Sequence, residues 1–190
     1  MTAARPSHVL LDRDGVLNIE RDGVAITEAA LWQWQAGSRE AVRALVAAGV
    51  HVAVATNQSI VGRGQMTRPA LDAMHRELLG ELGLDFVVLC PHAPDAGCDC
   101  RKPAPGLLEQ AVARWEQPAR GIVFVGDSHT DWRASQALEM PFVLVRTGKG
   151  AATEQRLTPA EVSTLQGGKT YDTLSSWVAE TFAGSEERTH

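Results

Sequence analysis

Five short apolar runs punctuate an otherwise polar chain: HVLLD (8–12), VHVAVAT (50–56), FVVLC (86–90), GIVFVGD (121–127) and PFVLV (141–145). Their apolar residues stand side by side rather than alternating, and many are β-branched. That pattern predicts strands buried on both faces, as in a parallel sheet. Between them the apolar positions take helical spacing. Ser38 is placed to cap SREAVRALVAAG, which stops at Gly49, and Thr67 to cap RPALDAMHRELLGELG, which stops near Gly83. PGLLEQAVARW carries Pro105 in its first turn, where proline costs least. Thr158 and Glu161 have capping-box spacing in TPAEVSTL, and DTLSSWVAETF closes the pattern before a polar tail, GSEERTH. Strand and helix alternate, so the expected fold is α/β, a single Rossmann-like doubly wound parallel sheet. With no repeat and no linker-like stretch, residues 1–190 are expected to form one domain with its core at about 8–182.

Ligands of such a sheet bind beyond the carboxyl ends of its strands. Asp12, Thr56 and Asp127 each end an apolar run and therefore converge on one edge. Asp12 and Asp14, with Asp127, make an oxygen-rich pocket suited to Mg²⁺. One carboxylate can attack phosphorus while the other protonates the leaving oxygen and later activates water. Thr56 and Lys102 can hold the phosphoryl oxygens where negative charge accumulates. Each piece also has a plainer explanation: Asp-x-Asp-Gly is common turn chemistry and Arg-Lys an ordinary solvated pair. The ordered set DRDG, TNQS, CRKP and GDSHTD at successive strand ends makes coincidence of all four improbable. His51 and His75 are expected to be structural or exposed, His129 to face either the site or solvent, and Trp32, Trp34 and Trp115 to anchor packing.

The chain has 3 cysteines, all between Cys90 and Cys100. Cys90, His92, Cys98 and Cys100 form a C-x-H-x5-C-x-C pattern of soft ligands that closes a tetrahedral zinc sphere with no open position, so the ion is expected to be structural. A Cys98–Cys100 disulfide would close a strained, very short ring. Arg101 and Lys102 follow the last ligand directly. A net charge of -5 and a pI of about 5.7 argue against nucleic-acid and anionic-membrane surfaces. No apolar run is long enough to span a bilayer, the N-terminus lacks a leader's apolar core, and clustered thiols suit a reducing compartment; a cytoplasmic protein is expected.

LDRDGVLN, ATNQS, CPHAPDAGCDCRKPAPG, VGDSHTD and RTGKG, running from Leu11 to Gly150, resemble the haloacid dehalogenase-like phosphatase superfamily. Within it they are similar to the branch of heptose-1,7-bisphosphate 7-phosphatases and histidinol-phosphate phosphatases. The resemblance implies Asp12 as nucleophile, Asp14 as general acid/base, and Mg²⁺ on Asp12, Asp127 and the backbone carbonyl of Asp14. It implies Thr56 and Lys102 at the phosphoryl group, Asn18, Asn57, Gln58, Ser59, Arg63 and Arg101 near the substrate, and zinc on Cys90, His92, Cys98 and Cys100. The implied activity is removal of the 7-phosphate of a heptose 1,7-bisphosphate, in synthesis of nucleotide-activated heptose. Histidinol phosphate is the rival substrate, and a non-catalytic zinc-stabilised binding protein the rival class. The stretches between Asp14 and Thr56 and between Thr56 and Lys102 are too short for a cap domain, leaving substrate choice to loops of an open site, expected in a monomer acting on a small phosphorylated metabolite. Arg63, Arg101, Arg146 and Lys149 are candidates for a distal phosphate. Two positions depart from the heptose enzymes: Ile60 where glycine is frequent, and Ser128 where lysine is.

Overall fold

All five apolar runs form strands in the computed structural model: β1 (His8–Leu11), β2 (His51–Asn57), β3 (Phe86–Cys90), β4 (Ile122–Gly126) and β5 (Phe142–Val145). The structure describes residues 5–21 and 24–182, so the polar tail from Gly184 to His190 lies outside the described residues. A sixth strand, β6 (Leu165–Tyr171), was not expected from the pattern. Its sequence LQGGKTY carries two adjacent glycines, and most of its side chains are exposed or half-buried. An edge strand with one wet face shows no continuous apolar run.

The strands form one parallel sheet in the order β3-β2-β1-β4-β5-β6. Chain order reverses at β1, so the crevice at the topological switch point opens between the ends of β1 and β4. Helices α1 (Ser38–Ala47), α2 (Arg68–Leu79), α3 (Gly106–Trp115), α4 (His129–Ala137), α5 (Gly150–Glu154), α6 (Pro159–Val162) and α7 (Leu174–Phe182) complete the fold. Successive strand residues sort to opposite faces, as a period of two requires. Val9, Leu11, Val52, Val54, Val123 and Val125 pack with α1, α2 and α7 through Leu45, Leu71 and Trp177. Leu10, Ala53, Ala55, Ile122 and Phe124 pack on the other face with α3 and α4 through Leu107, Leu108 and Ala134. Both faces are covered, as in a doubly wound sheet, and among the described residues no cap domain is evident. Among the described residues no helix is long and apolar enough to cross a membrane.

The caps follow the sequence with two corrections, the first at α3, where Pro105 stands at the N-cap ahead of Gly106 rather than in the first turn. Thr67 accepts from the Ala70 N–H, and Thr158 with Glu161 forms the capping box. Ser38, however, is the first helical residue of α1; the cap position belongs to Gly37, whose φ of 72° is left-handed. The buried Ser38 hydroxyl instead donates to the Leu17 carbonyl at 2.8 Å. It thereby ties α1 to the loop that follows β1. α4 was also not expected; Ser128 caps it in a box with Asp131.

Ser38→Ala should cost about 1 kcal/mol in urea unfolding, the net value of one buried hydrogen bond, because the Leu17 carbonyl keeps its second partner, the Gln35 N–H. A loss near zero would show that the hydroxyl does not fasten this loop.

Candidate active site

The carboxyl end of β1 delivers Asp12, and that of β4 delivers Asp127. Leu11 pairs with Val125, so the two acids leave neighbouring strands almost level. Asp131 joins them from the first turn of α4, and a carboxylate oxygen from each lies within 4.8 Å of the others. Into this group reaches the buried Lys102 ammonium, 2.8 Å from Asp12 Oδ1 and 2.7 Å from Asp131 Oδ1. It also donates to the Ala55 carbonyl at 2.9 Å and lies 5.3 Å from the Phe124 ring centroid. Burial works against the Lys102 charge, but Asp12 and Asp131 outweigh it and hold the pKa above the usual lysine range.

Three carboxylates around a single ammonium leave two negative charges without a partner. Burial, with Asp131 next, pushes Asp12 up to about 7, and the same causes push Asp127 up to about 8. Such crowding of acids is what a bound divalent cation relieves, and the all-oxygen donor set suits Mg²⁺. The Asp127 carboxylate is further gripped by backbone. It accepts from the Lys149 N–H at 2.7 Å, in the Arg146–Gly150 turn. Gly15 (φ 85°) and Gly148 (φ 57°) pass so close that a Cβ on either would run into that carboxylate. Glycine is required at both places for this approach.

Asp14, two residues from Asp12, stands apart from the three-acid cluster. Its carboxylate accepts from Arg13 Nη2 (2.7 and 3.0 Å), Arg13 Nε (3.2 Å), Asn18 Nδ2 (3.0 Å) and Gln58 Nε2 (2.7 Å). Burial works to raise its pKa, but the Arg13 charge and these donors outweigh it, and the carboxyl lies below the usual range. Two acids in one turn are thus driven in opposite directions.

A cleft of about 860 Å³ opens over this floor. It is lined by Asp12, Asp14, Thr56, Asn57, Ser59, Arg63, Arg101, Lys102 and Asp127, which the sequence singled out. Two other expected contacts are placed elsewhere. Asn18 is fully buried and spends its amide on Asp14, and the buried Gln58 bridges Asp14 and Thr56 Oγ1. Asn57 lines the cleft but also clamps the Lys102 backbone, donating to its carbonyl at 3.0 Å and accepting from its N–H at 3.1 Å. Arg146 leaves the set of distal cations: it is exposed and paired with Glu154 and Asp172. Lys149 lines the cleft, paired with Glu20 at 2.6 Å. His129 faces the cleft, while His51 is exposed against Asp85. Trp32 packs in the core, as expected of an anchor. Asp131 is the residue the sequence reading passed over. Ser-x-x-Asp after a strand is ordinary capping spacing, and Asp131 Oδ2 does cap α4, while Oδ1 faces Lys102.

The cysteine loop converges separately, and none of its four ligands lines the cleft. Neighbouring ligand atoms stand 3.6 Å (Cys90–Cys98 and Cys98–Cys100), 3.5 Å (Cys90–His92) and 3.3 Å (His92–Cys100) apart. A tetrahedron with Zn–S near 2.3 Å and Zn–N near 2.0 Å has edges of about 3.5 to 3.8 Å. The three sulfurs and one nitrogen are therefore spaced to hold one such ion. Burial and the adjoining thiols push Cys100 up to about 12, while at Cys98 burial is outweighed by the Arg101 backbone and the other two thiols, which bring the pKa down to about 7. The loop is fixed to the segment after β2 by Gln58 N–H to Cys90 carbonyl and Gly62 N–H to Pro91 carbonyl, both 2.7 Å.

A HAD-hydrolase-like family model matches residues 99–166. The D-glycero-β-D-manno-heptose-1,7-bisphosphate 7-phosphatase of Pseudomonas aeruginosa is 47% identical over 152 residues, 77% of this chain and 85% of that enzyme. The α-heptose counterpart of Mycobacterium tuberculosis is 36% identical over 141 residues, 69% of this chain and 74% of its own length. The crystal structure of the D,D-heptose 1,7-bisphosphate phosphatase from B. bronchiseptica, complexed with magnesium and phosphate, superposes with a TM-score of 0.83 at 32% identity, covering 93% of this chain and 98% of that one.

The raised carboxyls set a pH trend. Asp12 and Asp127 bind protons more tightly in the fold than in the unfolded chain, so their contribution is fully present below the unfolded value of 3.8 and is lost as pH rises through about 7 and about 8. In Mg²⁺-free buffer the urea midpoint should rise as pH is lowered from about 8.5 to about 6, and saturating Mg²⁺ should flatten the trend. A slope that Mg²⁺ leaves untouched would count against a cation among these acids.

Proposed function

The chain belongs to the haloacid dehalogenase-like hydrolases, in the family of the heptose-1,7-bisphosphate 7-phosphatases, and from that premise we propose that it hydrolyses the 7-phosphate of D-glycero-D-manno-heptose 1,7-bisphosphate. The observation that carries the reading is Asp12 at the floor of the cleft, beside Lys102 and within the three-acid cluster. The greater identity to the β-heptose enzyme favours the β anomer.

Asp12 attacks phosphorus, forming an aspartyl-phosphate as the bond to the sugar oxygen breaks. Asp14, ionised at rest, takes up a proton from solvent as the negative charge of the substrate phosphate arrives beside it, and gives that proton to the departing oxygen. It then takes a proton from water as the water attacks the same phosphorus, and the cleavage returns Asp12 with release of inorganic phosphate. A carboxyl held below its usual range returns readily to the base form that the second step needs. Thr56 and Lys102 hold the phosphoryl oxygens against Asp12. Mg²⁺, held by Asp12, Asp127, Asp131 and the Asp14 backbone carbonyl, would supply charge neutralisation at the phosphoryl group. Zinc on Cys90, His92, Cys98 and Cys100 would serve structure, stiffening the loop that presents Arg101 and Lys102. For the second phosphate, Arg63, Arg101 and Arg156 line the cleft, and none of them has an ion-pair partner among the described residues. Their three guanidiniums suit a bisphosphate better than a substrate whose far end is an amine.

Asp12→Asn should lower phosphate release by at least about a thousandfold while circular dichroism and the unfolding midpoint stay near the parent's. Wild-type protein should prefer the β-heptose bisphosphate over the α anomer, fructose 1,6-bisphosphate and histidinol phosphate; a preference for histidinol phosphate would overturn the substrate assignment. Metal analysis should find about one zinc per chain, and Cys98→Ser should lower that occupancy and cost several kcal/mol of stability. Metal-free protein of unchanged stability would remove zinc from the account.

A further inference from the structure

His75, on the inner side of α2, has no place in the chemistry described so far, yet it is buried and bonded to the turn that carries both catalytic acids. Its Nε2 lies 2.9 Å from Arg13 Nη1. A guanidinium only donates, so Nε2 is the acceptor and the ring proton of this bond pair sits on Nδ1. Burial, followed by the Arg13 charge, pushes His75 down to about 4, which keeps Nε2 unprotonated and available at neutral pH.

Arg13 is itself buried, with its side chain 2% exposed. Its Nε and Nη2 are both spent on Asp14, and its guanidinium carbon lies 5.5 Å from the Trp32 ring centroid. A planar guanidinium paired to a carboxylate along one edge can still swing about its stem. The bond from Nη1 to His75 holds the opposite edge, and Trp32 restrains the face. Asn18 and Gln58 add donors to Asp14 but hold neither Nη1 nor the plane of Arg13. Asp14 is thus held by Asn18, by Gln58 and by the Arg13 fork, and the fork is fixed from α2, 61 residues further along the chain than Asp14.

We propose that His75 is a positioning residue for proton transfer by Asp14, acting through Arg13. This rests on Asp14 being the acid that protonates the departing sugar oxygen. Proton transfer depends steeply on donor placement, whereas phosphoryl binding by Thr56 and Lys102 does not involve the Arg13 side chain. A displaced Asp14 should consequently hurt substrates whose leaving oxygen needs a proton and spare those whose leaving group departs as an anion.

The test compares kcat/KM, which covers steps only through departure of the leaving group, for heptose bisphosphate and for p-nitrophenyl phosphate. His75→Leu should lower kcat/KM on the sugar substrate by about tenfold, while the aryl phosphate value and competitive inhibition by inorganic phosphate stay within about twofold. His75→Gln, whose side-chain carbonyl can accept from Arg13, should recover to within about threefold of wild type. If His75→Leu does not fold cooperatively, His75→Asn replaces it, since its carbonyl stops short of Arg13. Equal losses on both substrates, no loss on the sugar, or a glutamine variant no better than leucine would overturn the proposal. Asp14→Asn, assayed alongside, separates the two levels of inference. If it shows the leaving-group split and His75→Leu does not, the positioning role alone falls. If Asp14→Asn loses both substrates equally, the acid role of Asp14 falls and the proposal with it.

Discussion

One buried ammonium organises the carboxyl edge of the sheet. Lys102 Nζ meets Asp12, Asp131 and the Ala55 carbonyl in a space closed by the Phe124 ring. Desolvating a charge costs several kcal/mol, and only near-ideal partners offset it. The end of β1, the start of α4, the interior of β2 and the cysteine loop must therefore arrive together at one nitrogen. Asn57 fixes the lysine backbone by two hydrogen bonds, and the cysteine cluster fixes the chain immediately before it. A metal-spaced loop outside the cleft is thereby coupled to the chemistry inside it through two residues of backbone.

Asp12 and Asp14 show how environment divides labour between identical side chains. Asp12 is crowded by other acids and shares a single lysine with Asp131. Asp14 has an arginine fork and two amides to itself. In the metal-free fold the shifts run opposite to a resting nucleophile and acid, and a divalent cation among Asp12, Asp127 and Asp131 would return Asp12 to the ionised form that attack requires. The side chain between them in the sequence, Arg13, points inward and does much of that separating.

Much of this was legible from residue order. The five buried strands announce themselves because residues covered on both faces need not alternate with polar ones. Strand-end placement then brings Asp12, Thr56 and Asp127 to one edge without any coordinates. What escaped has physical causes. β6 is a half-wet edge strand broken by Gly167 and Gly168. Asp131 was hidden by its second task, since an acid three residues past Ser128 is explained in full by helix capping. The family resemblance implied Asn18 and Gln58 near the substrate; their amides are turned to Asp14, a direction that spacing does not encode. Arg146 looked like a ligand cation and is taken by two surface acids.

The pairing of Leu11 with Val125 has a wider consequence. Adjacent strands in any sheet run about 4.8 Å apart, a distance set by the peptide hydrogen bond. Asp12 follows Leu11 at once and Asp127 follows Val125 after Gly126, so backbone geometry acts as the ruler for their separation. The segments that meet the rest of the substrate, around Arg63, Arg101 and Arg156, hang from other points of the scaffold. Evolution can redraw those segments, lengthening one or exchanging its charges, without recalibrating the reacting centre. A fold with this gauge built in is suited to diversify among phosphorylated metabolites while keeping one chemistry.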